Sequence, residues 1–116
     1  MLVVLRRAYA AFNARNIDAV LELMQPDVEW PNGMEGGRLR GHAAVREYWV
    51  RQWSLVDPHT ARETVEPLVA HADGDAIVVT VHQSVRDLAG KLILEQDVQH
   101  VYWMREGLIA RMEIRA

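Results

Sequence analysis

Two histidines and a tyrosine are the side chains of this sequence that are best suited to acid/base chemistry. His82 and His100 each have a valine beside them in valine-rich strands, and Tyr102 follows His100 at an alternating position. Imidazole titrates near neutral pH, so a pair of histidines can act as general acid and general base. If both strands present them to one side, these three side chains and Gln96 form a polar patch at the floor of a cavity. In the alternative interpretation, one or both histidines lie on the outer face of the sheet, at a dimer interface.

Tryptophan is the dominant aromatic residue, with four copies against one phenylalanine, which predicts a heavily aromatic core or an aromatic-lined cavity. Trp30 and Asn32 share strand parity, so we expect both at the mouth of the cavity, where Asn32 orients a polar group of the ligand. Alternatively, Trp30 is core and Asn32 serves a Pro-Asn-Gly turn. Trp49 and Trp53 are one helical turn apart and form an aromatic wall for a flat ligand, unless they only pack against the sheet.

The histidines do not have the spacing of a metal site. They are His42, His59, His71, His82 and His100. The sequence contains no His-x-x-x-His pair, and no carboxylate completes a ligand set. Because the chain has no cysteine, disulfides and cysteine-based zinc sites are also excluded. We therefore expect neither a metal ion nor another cofactor.

Hydrophobic periodicity predicts the elements that position these side chains. Helices are expected over 2–15, from Asp18 to a stop at Pro26, and over 42–56 with a stop at Asp57-Pro58. A short strand over 27–30 and a turn-rich loop containing Gly33, Gly36 and Gly37 lie between the second and third helices. Alternation then predicts four antiparallel strands, over 60–71 with a bend at Pro67, 76–86, 91–104 and 108–114.

This order of elements predicts one α+β domain over residues 1–116. A curved antiparallel sheet wrapped on three N-terminal helices makes a cone, whose wide end can hold a ligand. The stretch 76–81 is apolar at both parities, so both faces of the sheet need cover. The helices cover one face, and a second copy of the chain is the expected cover of the other, which predicts a homodimer.

Charge and composition narrow the partners. The formal net charge is -3 and no lysine/arginine cluster occurs, so we expect no nucleic-acid partner. The opening MLVVLRRAYAAF is too short and too quickly charged for a signal peptide or membrane span. A cytoplasmic protein without a membrane partner is the expectation.

Three segments of the sequence resemble a known superfamily. They are AYAAFNARNIDAVLELMQPDVEWPNG, RGHAAVREYW and HVYWMREGLIARMEI. Together they resemble the nuclear transport factor 2-like (SnoaL-like) superfamily, which includes ketosteroid isomerases, polyketide cyclases and limonene epoxide hydrolases. The resemblance covers nearly the whole chain and implies a cystatin-like cone with an apolar pocket. It does not imply one activity, because this fold carries enzymes, transport factors and ligand binders.

The catalytic residues of ketosteroid isomerase are mostly replaced at the matching positions. Trp30 stands where the isomerase has its aspartate base before a proline. The oxyanion-hole tyrosine falls on or beside Tyr9, with the register pointing to Ala8, and the protonated aspartate falls near His100. The supporting tyrosine on the third helix falls on Trp49. The resemblance therefore argues against steroid isomerisation by that mechanism.

The epoxide hydrolase pattern is also incomplete. Trp30-Pro31-Asn32 keeps the asparagine of its Tyr-x-Asn pair and lacks the tyrosine. The aspartate of the last strand falls on Ile114, and Glu113 points to the opposite face by alternation.

Two hypotheses about function remain open. In the first, the chain is a cofactor-independent isomerase, cyclase or hydrolase acting on a small hydrophobic molecule, with His100 and either His82 or Tyr102 as acid and base. In the second, it is a non-catalytic ligand-binding or protein-interaction domain. In both, the ligand-binding residues are Trp30, Asn32, Trp49, Trp53 and Tyr9.

Overall fold

The computed structural model describes residues 2–32, 36–56 and 61–115, and over these ranges the chain is α+β. The described elements are α1 (Leu2–Asn13), α2 (Ile17–Glu22), β1 (Met24–Pro31), β2 (Arg38–Arg40), α3 (His42–Val56), β3 (Ala61–Asp73), β4 (Ala76–Asp87), β5 (Leu92–Arg105) and β6 (Leu108–Arg115). Gly33, His59 and the predicted stop of α3 at Asp57-Pro58 lie outside the described residues. None of the described helices is long and apolar enough to cross a membrane.

The six described strands form one curved sheet in the order β2-β1-β6-β5-β4-β3. The predicted antiparallel meander from β3 to β6 is confirmed. β1 lies parallel to β6, a pairing that the sequence pattern did not predict. This pairing brings the strand that follows the helical hairpin into the middle of the sheet, beside the C-terminal strand.

Two predictions between α2 and α3 are wrong. Pro26 does not end α2, which closes at Glu22, but lies within β1. It is tolerated there because β1 shifts register against β6 between Met24 and Glu29, and a proline without an N–H fits such an irregular stretch. The predicted loop contains β2, which pairs with the end of β1. Gly36 and Gly37 have φ of +80° and +76°, a conformation in which a side chain would be strained.

The bend predicted at Pro67 is confirmed as a register shift between Pro67 and Val69 on β3. Proline cannot donate to the neighbouring strand, so the ladder between β3 and β4 skips one residue here. The bulge leaves the neighbouring side chains Leu68 and Val69 exposed.

The core lies between the helices and one face of the sheet, which we call the inner face. It is built from apolar side chains of all three helices and five strands, among them Leu5, Val20, Val45, Val28, Val65, Val81, Tyr102 and Met112. A second, smaller cluster of Ala76, Val78 and Val101 lies on the other face, with Trp103 packed against it. Both parities of 76–81 are therefore buried, and the second cluster marks the outer face of the sheet.

Candidate functional site

A cavity of about 390 Å³ lies between α3 and the inner face of the sheet. Phe12 of α1, Trp30 of β1 and Trp49 of α3 line one part of it, and alternate residues of β4, β5 and β6 line the rest. A smaller space of about 50 Å³ continues toward Tyr9 and Tyr102. None of the described residues that line either space is an aspartate, glutamate, lysine or arginine.

The aromatic wall of the cavity is centred on Trp49. Trp30 meets its ring edge-on, with centroids 5.4 Å apart and planes at 87°. Trp53 stacks on it at 5.7 Å and 17°, and Phe12 contacts both rings edge-on. Trp30 and Trp49 line the cavity, whereas Trp53 is not among its described lining residues and supports Trp49 from behind. Trp49 is thus both core and wall, so the two interpretations of its role are compatible.

His100 lies at the end of a buried chain of hydrogen bonds that runs through two tyrosines. The Tyr102 hydroxyl donates to the Tyr9 oxygen over 2.8 Å, and the Tyr9 hydroxyl lies 2.8 Å from His100 Nδ1. The side chains come from α1 and from alternate positions of β5, which places all three on the inner face. His100 lines both spaces, so its ring stands between the two tyrosine hydroxyls and the cavity.

The direction of these hydrogen bonds determines which nitrogen of the His100 ring carries the proton. Since Tyr102 donates to Tyr9, the Tyr9 proton is available to His100 Nδ1, which must then accept. Burial lowers the pKa of His100 to about 4, so the ring is neutral at physiological pH and its single proton lies on Nε2. Burial also raises the pKa values of Tyr9 and Tyr102, so both phenols remain protonated. The site therefore presents a neutral N–H donor.

His82 lies on the outer face, so the structure does not combine it with His100 in one site. His82 alternates with Ala76 and Val78 of the outer cluster, whereas His100 pairs with Val79 on the inner face. Its Nδ1 lies 2.7 Å from Asp97 and its Nε2 lies 2.6 Å from Glu95. The hydrogen bond to Asp97, followed by that to Glu95, raises the pKa of His82. The alternative interpretation of an outer-face histidine holds for His82.

The polar residues around the cavity differ in part from the expected set. Asn32 is not among the described lining residues, and its backbone closes the turn to Gly36 and Gly37. Gln96 lines the cavity as expected, and Gln52 and Gln83 line it as well. Gln83 was not predicted, although its position two residues after the inward-facing Val81 was a usable signal. Within the described parts of the chain, no group of three or more metal-ligating side chains converges.

The neutral state of buried His100 predicts a pH-dependent stability. In the unfolded chain a histidine titrates near pH 6.5, whereas in the fold the pKa of His100 is about 4. Between these values the unfolded chain binds more protons, so the free energy of unfolding falls as the pH falls, by up to about 3 kcal/mol for this group. Urea denaturation between pH 7 and pH 4 should show this decrease, and the decrease should be smaller for His100→Asn.

The exposed histidine of β3 provides the control for this experiment. His71→Asn should keep the pH dependence of the unmodified chain. An equal decrease in the His100→Asn variant and the unmodified chain would contradict the assignment of a neutral, buried imidazole.

Comparison with known proteins places these features in a family. Residues 5–112 match the SnoaL-like domain family. The fold of TerC, in its crystal structure with polyporic acid, superposes with a TM-score of 0.80 at 31% identity, covering 97% of this chain and 88% of that one. An NTF2-like protein of unknown function from Burkholderia pseudomallei has a TM-score of 0.79 at 26% identity, covering 98% and 88%.

A putative polyketide cyclase from Sinorhizobium meliloti is similar at a TM-score of 0.72 and 26% identity, over 97% of this chain and 93% of that one. No curated protein matches the sequence. The family match extends from the first helix to the last strand, and the fold neighbours have the same cone of helices and curved sheet. This chain belongs to the SnoaL-like domain family, with the nuclear transport factor 2-like fold.

Proposed function

We propose that this protein binds a small, flat, hydrophobic molecule in the cavity, with an oxygen of that molecule accepting a hydrogen bond from His100 Nε2. A cavity of about 390 Å³ falls within the range of roughly 300–1,000 Å³ that is common for small-molecule sites. Trp30 is only partly buried and offers an apolar aromatic surface that suits a ring system, while the buried Trp49 supports it from behind. A carbonyl or phenol oxygen is the group that suits the Nε2–H donor.

The observation that carries this proposal is the one-way hydrogen-bond chain from Tyr102 through Tyr9 to His100. If both hydrogen bonds ran the other way, His100 Nδ1 would donate to Tyr9 and the Tyr9 hydroxyl would donate to Tyr102. The Tyr102 hydroxyl would then have no acceptor among the described residues. An unpaired buried hydroxyl costs about 1–3 kcal/mol. The chain therefore holds Nε2 as a donor in the absence of ligand, so no reorganisation is needed when an oxygen arrives.

Two relatives support a ligand of this kind. TerC was crystallised with polyporic acid, and the Sinorhizobium meliloti protein is described as a putative polyketide cyclase. Both are related to this chain at identities of 31% and 26% over almost its whole length. We take an aromatic or polyketide-like molecule as the ligand class.

Catalysis is the second candidate function, and it follows from the same donor. A fixed N–H aimed at a carbonyl oxygen stabilises the enolate that forms when a neighbouring carbon loses a proton to a solvent water, as in isomerases and cyclases. In this role His100 is an electrophile rather than a base, since its Nδ1 is already occupied. Tyr102 acts through Tyr9, and His82 faces away. Since no described lining residue is a carboxylate, a substrate with an intrinsically acidic carbon suits this site best.

We also infer that two copies of this chain associate through the outer face of the sheet. The apolar cluster of Ala76, Val78 and Val101 has Trp103 at its edge. Several charged side chains on this face are paired within one chain: Arg111 with Glu113 and Glu29, and His82 with Asp97 and Glu95. Such pairing lowers the cost of removing them from water, which favours a symmetric interface.

Binding is tested with 2-tetralone, a neutral aromatic ketone, and with tetralin, which lacks the oxygen. Saturable quenching of tryptophan fluorescence should report binding of 2-tetralone, and His100→Leu should weaken it roughly threefold to tenfold, the usual effect of losing one hydrogen bond. The matched control His71→Leu should retain the affinity. If His100→Leu and the unmodified protein bind the ketone equally, the role of Nε2 is wrong.

Catalysis is tested by following exchange of the α-hydrogens of 2-tetralone in deuterated water by NMR. Stabilisation of an enolate predicts faster exchange with the protein than in buffer, and slower exchange with His100→Leu than with His71→Leu. Saturable binding without faster exchange would eliminate the catalytic candidate for this ketone and leave the binding function.

The dimer is tested by sedimentation equilibrium. The unmodified protein should have twice the mass of one chain, and Trp103→Glu should dissociate it, because a carboxylate would be buried without a partner. Val3→Glu, a substitution on the exposed surface of α1, is the control and should leave the mass unchanged. A monomeric unmodified protein would refute the interface, and circular dichroism would confirm that each variant folds.

A further inference from the structure

Two glutamine side chains form a second polar position at the solvent-exposed rim of the cavity, separate from His100. Gln83 and Gln96 are register partners on β4 and β5, and Gln96 Nε2 donates to Gln83 Oε1 over 2.7 Å. The described residues provide no donor for Gln96 Oε1, and one N–H of the same amide also remains. This amide can therefore accept from and donate to a hydroxyl group of a ligand.

The spacing of the two polar positions along β5 defines a length. Gln96 and His100 are four residues apart on the inner face, with the apolar Val98 between them. At the rise of an antiparallel strand, their Cα atoms are about 13 Å apart. Strand side chains stand roughly perpendicular to the sheet, so the Gln96 amide and the His100 imidazole are separated by about the same distance. Two hydrogen bonds of about 2.9 Å each then leave roughly 7 Å between the two polar atoms of a ligand that lies along the strand. This separation is close to that of the two oxygens in 2,6-dihydroxynaphthalene.

The cavity also selects by charge. Its described lining contains three glutamines, a tyrosine and the neutral His100, with no side chain that is charged at physiological pH. An ionised carboxylate would lose hydration on entering and would meet no opposite charge in return. Neutral hydroxyl and carbonyl groups have a much smaller cost of desolvation, and the amide and imidazole groups offset it.

Resting on the proposed function, we infer that the ligand is an uncharged two-ring aromatic molecule with a polar group at each end. An oxygen at one end accepts from His100 Nε2, and a hydroxyl at the other end bonds the Gln96 amide. The rings between them lie over Val98 and against Trp30, both of which line the cavity and are only partly buried. Gln96 is thus a specificity-determining residue that distinguishes two-ended ligands from ligands with a single polar group.

Titration calorimetry near neutral pH with three naphthalenes tests this inference. The probes are 2-naphthol, 2,6-dihydroxynaphthalene and 6-hydroxy-2-naphthoate. The diol should bind roughly threefold to tenfold more tightly than 2-naphthol, the effect of one added hydrogen bond. The naphthoate, which has the same length but carries a charge, should bind more weakly than the diol. A naphthoate that binds more tightly than the diol would refute the preference for uncharged ligands.

Two variants on β5 test whether Gln96, on the inner face, causes the tighter binding of the diol. In Gln96→Leu the ratio of the two affinities, diol to 2-naphthol, should fall to about one, since the added hydroxyl loses its partner. Gln99→Leu is the matched control, because Gln99 lies on the same strand at the outer-face parity of Val101. It should keep the ratio of the unmodified protein, and circular dichroism should confirm that both variants fold.

The outcomes separate this inference from the function on which it rests. If 2-naphthol binds and the diol has no advantage, or if the advantage persists in Gln96→Leu, the two-ended ligand is wrong and the binding function stands. If none of the three probes binds to the unmodified protein, both are overturned.

Discussion

The hydrogen-bond chain from Tyr102 through Tyr9 to His100 is the constraint on which the site depends. Its members come from the first helix and from β5, more than ninety residues later in the sequence. The Tyr9 and Tyr102 hydroxyls are removed from water, so each requires a hydrogen-bond partner within the fold, and this fixes the position of α1 along the sheet. This position of α1 also places Phe12 in the wall of the cavity. Phe12 is three residues beyond Tyr9 and therefore lies on nearly the same side of the helix.

Desolvation is the effect that decides the chemistry here. With no carboxylate beside it among the described residues, a buried imidazole loses its proton rather than gaining one, and the phenols keep theirs. His82 shows the opposite balance, because two carboxylates within hydrogen-bond distance outweigh its partial burial. The same residue type thus has two electrostatic states on the two faces of one sheet, and only the inner one is near the cavity.

Sequence patterns predicted the fold well and the site in part, for reasons that are physical. The range of α3 and the breaks between the predicted strands follow from local rules, and the structure has α3 and the turns at Gly74 and Gly107 at these places. Alternation sorted β4 and β5 into two sets of residues but could not tell which set faces the helices, since both sets of 76–81 are apolar. This ambiguity is why His82 and His100 were candidates for one site.

The remaining differences arise from contacts that periodicity does not encode. β2 is three residues long, too short for alternation to be recognised, and exists because it pairs with β1. The bond between Tyr9 and His100 joins segments at opposite ends of the chain, and Gln83 gains its place in the cavity only once β4 and β5 are in register. Resemblance to the family identified the neighbourhoods of Tyr9 and His100, but not that they contact each other.

The two edges of the sheet limit how this protein can assemble. β3 forms one edge, where Pro67 and the bulge beside it interrupt the row of backbone donors that an incoming strand would need. β2 forms the other edge, and its three residues include two arginines. Short, charged or interrupted edges are how soluble sheets resist open-ended growth into fibrils. Growth along the sheet is thus disfavoured at both ends, which leaves the faces as the surfaces for association, and the pairing of outer faces proposed above is of this closed kind.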